Sequence, residues 1–274
     1  MYIKAFKMDG LGNDFVIIDQ RSQNFNLKKD QIIKICDRNF IGCDQLILIK
    51  KIEKKDAALE FYNSDGSISG ACGNGTRCVA ELLSKENNQK KITVHTSSGI
   101  LKSKILENNL VETEMGIPKT NWDEIPLDKE IDTKNLKIEI SDKNKKKHIG
   151  GTAINVGNPH VVFFVNDIEN FDLKNVGPEI ENHDLFPEKC NVTLAKKIND
   201  NLIKVKVWER GAGLTKACGT AACATAVAGN LLNLTDKAVD IEFELGKLTI
   251  SIDAKNSIHM KGPVSNIKDI EIKL

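Results

Sequence analysis

The chain is written twice. Gly12-Asn13-Asp14-Phe15-Val16-Ile17 resembles Gly157-Asn158-Pro159-His160-Val161-Val162, with the two asparagines 145 positions apart. Asn24-Phe25-Asn26-Leu27 resembles Asn170-Phe171-Asp172-Leu173 at an offset of 146. Cys72 and Cys218 also differ by 146, and Gly99 and Gly246 by 147. Chance matches would scatter their offsets, so a nearly constant one predicts two equivalent folding units. A length of 274 residues suffices for two domains of ordinary size.

The hydrophobic pattern agrees. In the first half, apolar or alternating runs at 15–19, 46–49, 59–62, 92–96, 100–106 and 110–115 read as strands. In the second half the same signal falls at 153–156, 160–165, 192–195, 203–208, 239–245 and 248–253. Helices are expected over 27–38 and 73–85, the latter with Val79, Leu82 and Leu83 as its apolar stripe. Its counterpart, 219–232, is so rich in alanine that burial on several sides is expected. The fold class is therefore α/β (α+β), with strand-rich units each built round one central helix. The expected domains are 1–117 and 118–262, with a C-terminal strand in 263–274 crossing back to the first. The stretch 119–149 reads as charged and loop-like, and its Lys143–Lys147 run as a solvated turn.

Each central helix opens on a cysteine followed by small residues: Ala71-Cys72-Gly73-Asn74-Gly75 and Ala217-Cys218-Gly219-Thr220-Ala221. The first N–H groups of a helix lack intrahelical partners, and with the dipole they favour negative charge. A cysteine placed there is expected to have a depressed pKa. A buried inert thiol is the bland alternative at either site alone. Two such sites at repeated positions point to a pair acting on one substrate. Inverting a stereocentre needs a base on one face and an acid on the other, and a thiolate with a thiol provides both.

Other chemistries fall away. Neither Gly10-Leu11-Gly12 nor Gly73-Asn74-Gly75 completes a dinucleotide fingerprint, and Gly246-Lys247-Leu248-Thr249 lacks the phosphate-loop spacing. Cys72 and Cys78, six apart, and Cys218 and Cys223, five apart, do not share a helix face, so no metal site is expected. A net charge of +1 asks for neither nucleic acid nor an anionic membrane. Seven cysteines, an odd number, with no apolar signal core at the N-terminus suggest free thiols in a reducing cytoplasm.

Polar residues recur at matched positions: Asn13 with Asn158, Gln45 with Asn191, and Asn63 with Glu209. Single asparagines are usually turn residues, but matched pairs suggest substrate contacts. Arg210 follows Glu209 after a strand, and its planar guanidinium suits a carboxylate clamp; a surface ion pair is the alternative.

With those motifs in hand the chain resembles the diaminopimelate epimerases. The resemblance rests on Gly10-Leu11-Gly12-Asn13-Asp14-Phe15, on Asn63-Ser64-Asp65-Gly66-Ser67 leading to Ala71-Cys72-Gly73-Asn74-Gly75-Thr76-Arg77-Cys78, on Gly157-Asn158-Pro159-His160, and on Glu209-Arg210-Gly211-Ala212-Gly213 leading to Ala217-Cys218-Gly219-Thr220. It departs at Asp9, where many members carry histidine, and at Ala221, where many carry glycine. It implies two pseudo-symmetric units, each a mostly antiparallel sheet around a helix, with the site in the cleft between them. It implies a cofactor-free epimerase of LL- and meso-2,6-diaminopimelate, with Cys72 and Cys218 as the acid/base pair. Asn13, Gln45, Asn63, Asn158, Asn191, Glu209 and Arg210 would contact substrate. Gly73, Asn74, Gly219 and Thr220 would offer backbone N–H groups, and His160 and Glu209 would tune the thiols. The expected partners are the small substrate and a second copy in a homodimer. A proline-racemase-like isomerase and a non-catalytic two-lobed binding protein remain the alternatives.

Overall fold

The computed structural model describes residues 2–22, 25–70 and 72–274. Asn24 of the repeated motif and Ala71 of the first cysteine motif lie outside the described residues. The chain divides into two units, 1–114 with 261–274 and 115–260.

The first unit runs β1 (Tyr2–Gly10), β2 (Asn13–Asp19), α1 (Lys29–Cys36), β3 (Gln45–Lys50), β4 (Ala57–Asn63), β5 (Ile68–Ser69), α2 (Gly73–Asn87), β6 (Lys91–Thr96), β7 (Gly99–Ile105) and β8 (Leu110–Gly116). The second runs β9 (Ile138–Ser141), β10 (Lys147–Gly150), β11 (Thr152–Asn155), β12 (Pro159–Phe164), α3 (Leu173–Glu181), β13 (Asn191–Asn199), β14 (Leu202–Glu209), β15 (Gly213–Thr215), α4 (Gly219–Leu231), β16 (Ala238–Phe243) and β17 (Gly246–Ile252). After β18 (Ile258–Pro263), the last strand β19 (Lys268–Lys273) pairs antiparallel with β1, Ile272 opposite Ile3.

Pairing follows one scheme in both units. β2 and β3 are parallel and bridged by α1, as β12 and β13 are by α3. β4 and β6 are parallel and bridged through α2, as β14 and β16 are through α4. Parallel neighbours need such crossovers, so each sheet is mixed, its remaining pairs antiparallel.

The sheet of the first unit is covered on both faces, which explains the unbroken apolar run Phe15-Val16-Ile17-Ile18 in β2. Phe15 and Ile17 face α2 with Ile47, Phe61, Val79 and Leu83. Val16 and Ile18 face α1 with Leu46, Leu48, Ile32 and Ile35. Each such side chain contributes about 1.5–3 kcal/mol by leaving water. Gly75 lets α2 settle onto the sheet, since a Cβ there would stand 2.7 Å from Ile47 Cδ1 and 3.0 Å from Phe61 Cε1. In the second unit α4 is buried from Ala221 to Gly229, as its alanine content requires.

One expectation is corrected. The stretch 119–149 is not merely loop: β9 and β10 pair as a hairpin within it, and Ile125, Leu127, Leu136, Ile138 and Ile140 join the core that holds α3. Its charges lie outward between inward isoleucines, and Lys143–Lys146 forms the turn, Asp142 accepting from the Asn144 and Lys146 N–H groups.

Candidate active site

Both cysteines are helix N-caps with matching backbone. Cys72 has φ −134° and ψ 113°, and Cys218 has φ −137° and ψ 116°. Their carbonyls start the helices, accepting from Thr76 N at 2.8 Å and Ala222 N at 3.0 Å. The N–H groups of the residues between, Gly73, Asn74 and Gly75 in one unit and Gly219, Thr220 and Ala221 in the other, therefore have no carbonyl to bond within the helix.

In the first unit Cys72 Sγ donates to Asn13 Oδ1 at 3.6 Å, and Asn74 Nδ2 donates to the same oxygen at 3.3 Å. Asn13 is held from its other end by Asp44, which accepts its Nδ2 at 3.0 Å. Gln45 opens β3 opposite Asn63, the last residue of β4, and donates Nε2 to Asn63 Oδ1 at 2.8 Å. Ser67 takes the Asn63 Nδ2 at 3.0 Å. Gln45 Oε1 is buried with no hydrogen-bond partner among the described residues.

In the second unit Cys218 is buried, its Sγ 3.4 Å from Thr220 Oγ1. The expected depressed pKa is not found here. Burial pushes the Cys218 thiol well above its ordinary value and the Glu209 carboxylate pushes it further; the Thr220 hydroxyl and Ala221 N–H pull the other way and lose. Desolvation of a thiolate outweighs a single helix mouth. Cys218 thus rests as a thiol.

His160 lies in β12 beside Asn191 of β13 and is fully buried. Burial, then the Arg210 charge, lowers its pKa to about 3, so the ring is neutral. Its Nε2 lies 2.9 Å from Asn158 Oδ1, which makes Nε2 the protonated nitrogen. Asn191 spends both ends on backbone: Nδ2 to the Pro159 carbonyl at 3.0 Å, and Oδ1 to the Arg210 N–H at 3.0 Å. Arg210 Nη1 donates to the Glu188 carbonyl at 2.8 Å. Sequence reasoning missed two supports. Asp44 braces Asn13, and Glu181, buried on α3, accepts from Trp208 Nε1 and Gly211 N and so fixes the loop after β14. Neither carries a local motif; only the three-dimensional contacts reveal them.

Cys78 and Cys223 are fully buried, as small packing residues. Among the described residues no three His, Cys, Asp or Glu side chains gather as metal ligands, and no helix is long and apolar enough to cross a membrane.

Comparison with known proteins follows the same lines. The family described as diaminopimelate epimerase matches residues 5–120 and 152–267, one stretch in each half. A diaminopimelate epimerase of Pelagibacter ubique (strain HTCC1062) is 79% identical over 274 residues, all of both chains. That of Acidiphilium cryptum (strain JF-5) is 39% identical over 267 residues, 97% of this chain and 95% of its own. In three dimensions the chain is similar to a PhzF-family phenazine biosynthesis protein of Bacillus anthracis, with TM-score 0.68, 15% identity and 100% of both chains covered. It is similar also to a hydroxyproline epimerase of Agrobacterium vitis, with TM-score 0.68, 11% identity, and 99% and 92% covered. These two likenesses speak for the fold of tandem pseudo-symmetric α/β units.

Proposed function

We infer, because the chain belongs to the diaminopimelate epimerase family, that it interconverts LL- and meso-2,6-diaminopimelate in the synthesis of lysine and peptidoglycan precursors, with Cys72 and Cys218 as its two bases. The observation that carries the pairing is the matched N-cap geometry of the two cysteines at equivalent helix mouths.

One cysteine, as thiolate, takes the α-proton of the reacting centre: an S–H bond forms, the C–H bond breaks, and its electron pair passes toward the carboxylate. The other cysteine, as thiol, gives its proton to the opposite face, leaving the inverted centre and a new thiolate. Cys218, resting as thiol, supplies that proton when Cys72 begins as base. The roles exchange in the reverse direction. The negative charge that grows on the carboxylate is met by the N–H groups of Gly73, Asn74, Gly219 and Thr220. Donors of this kind are preorganised, and removing one typically costs about 3 kcal/mol. Exclusion of water keeps the thiolate basic.

The remaining residues divide by what their polar atoms have left to offer. Gln45 Oε1, an unsatisfied acceptor, suits a substrate ammonium, with Asn13, Asn63 and Asn158 beside it in role. Arg210 binds the distal carboxylate, while Asn191 serves chiefly to hold the Arg210 backbone. Glu209 tunes Cys218 by its charge, and His160 does so only by orienting Asn158. With the reading go a cytoplasmic location, where thiols stay reduced, a homodimeric state, and no partner among nucleic acids or membranes.

The test is incubation with LL-diaminopimelate in deuterated water. Conversion to the meso form with one deuterium at the inverted centre is expected. Absence of both conversion and exchange would overturn the reading.

A further inference from the structure

Arg77 is the largest fully buried side chain among the described residues. A guanidinium out of water is costly unless it is bonded and matched by other groups, so its place on α2 calls for an explanation. Its side chain runs back toward the helix N-terminus, as helical side chains do, and Nη2 donates to Asn74 Oδ1 at 3.0 Å. With that oxygen committed, Asn74 turns Nδ2 to Asn13 Oδ1, the atom that accepts from Cys72 Sγ. A guanidinium can only donate and a carboxylate can only accept, so the Asn74 amide is oriented from the Arg77 end and the Asn13 amide by Asn74 on one side and Asp44 on the other. Gly10 makes room for the relay, since a Cβ there would stand 3.3 Å from Arg77 Nη2.

The strand faces turned toward α2 are mostly apolar, with Met8 on β1, Phe15 on β2, Ile92 on β6 and Leu101 on β7, and the buried Thr96, Ser103 and Thr113 among them are neutral. Ionisable groups on the neighbouring elements have partners of their own. The Cys78 thiol feels Arg77, Cys72 and Asp9; Glu81, farther along α2, pairs with Lys85; and Asp44, behind Asn13, pairs with Arg38. The second unit differs. The residue 146 positions after Arg77 is Cys223, a small buried thiol, and the charge felt first by Cys218 is the anion of Glu209.

We propose that Arg77 is a positioning residue for Cys72: through Asn74 it helps hold the Asn13 acceptor that meets the thiol, and its buried charge outweighs that acceptor, which favours the protonated form, and makes Cys72 the cysteine that ionises first. The inference rests on the acid/base reading of the two cysteines. It breaks the symmetry that the repeat would otherwise impose, by placing a buried cation on α2 at the position that a thiol, Cys223, fills on α4.

The experiment is the pH dependence of iodoacetamide alkylation, read at each cysteine by peptide mass spectrometry in the intact protein without substrate. Accessibility scales the rate but leaves the midpoint of the profile in place, so midpoints are compared. In the wild type the Cys72 midpoint lies below that of Cys218. Arg77→Met raises the Cys72 midpoint by about one pH unit, about tenfold less thiolate at neutral pH, and leaves Cys218 unmoved. Arg77→Lys, which keeps the charge, restores most of the shift. A Cys72 midpoint unmoved by Arg77→Met overturns the proposal. Should that variant not fold, a wild-type Cys72 midpoint at or above that of Cys218 overturns it without any substitution, and one below it together with a Lys variant close to wild type sustains it. Alkylation needs no turnover, so failure here leaves the deuterium test of the reaction standing, and the converse holds.

Discussion

Cys72 and Cys218 share their backbone torsions to within a few degrees, yet their surroundings differ, and surroundings decide the proton. Burial and an adjacent carboxylate hold Cys218 protonated against its helix mouth. The sequence carries the position of each thiol but not its desolvation, which only the folded packing sets. His160 shows the same physics with the opposite sign. Its folded pKa of about 3 lies below the 6.5 of an unfolded histidine, so below pH 6.5 the unfolded chain binds a proton that the folded one refuses. The stability contributed by the neutral ring is complete above pH 6.5 and is lost as pH falls toward 3. Wild type should therefore lose about 1.4 kcal/mol per pH unit below 6.5 relative to His160→Gln. Urea unfolding of both proteins from pH 7 to 4.5 measures the difference, and parallel curves would show that the ring titrates freely.

Among elements, α2 and α4 were legible because a cysteine followed by glycine marks their start and an apolar or alanine-rich pattern follows. α3 was not. It spans nine residues with Pro178 inside it, which breaks the usual helical signal, although the repeat carries the helix of 27–38 to this place. The β9–β10 hairpin was hidden likewise, its two inward isoleucines outnumbered by surrounding charge. Packing of α2 is the tighter constraint on the site. Gly75→Ala would gain at most about 1 kcal/mol of helix propensity, but its Cβ meets Ile47, Phe61 and Phe15 at 2.7–3.2 Å. Overpacking of this kind costs about 1–3 kcal/mol, so the variant should be less stable on balance. Ile47→Val, which removes the nearest methyl, should recover part of the loss. A double-mutant cycle in urea checks the coupling, and additive effects would show that the two residues do not meet.

For the whole molecule, the tandem organisation was legible from offsets alone, because equivalent units repeat their turn glycines and cysteines at one spacing. The pairing of β19 with β1 left only a weak trace, the Ile270-Glu271-Ile272 alternation at the end of the chain. Ile272 is fully buried opposite Ile3 and joins the core beneath α1. Ile272→Ala should therefore cost about 2–5 kcal/mol, as deletions in packed cores do. Chemical unfolding with the fluorescence of added hydrophobic dye reports it, and a loss under 0.5 kcal/mol, the usual scale of surface changes, would mean the strand only decorates the edge.

That pairing also sets an order of events at birth. The unit spanning 115–260 is continuous and has all its strands once its own residues have emerged, whereas the unit that begins the chain contains 261–274. At roughly 5–20 residues per second of synthesis, the first strand waits on the order of tens of seconds for its neighbour, with an open edge in the meantime. A nascent chain therefore completes the unit of residues 115–260 before the unit that residues 261–274 finish, and a product truncated ahead of β19 holds the former finished and the latter not.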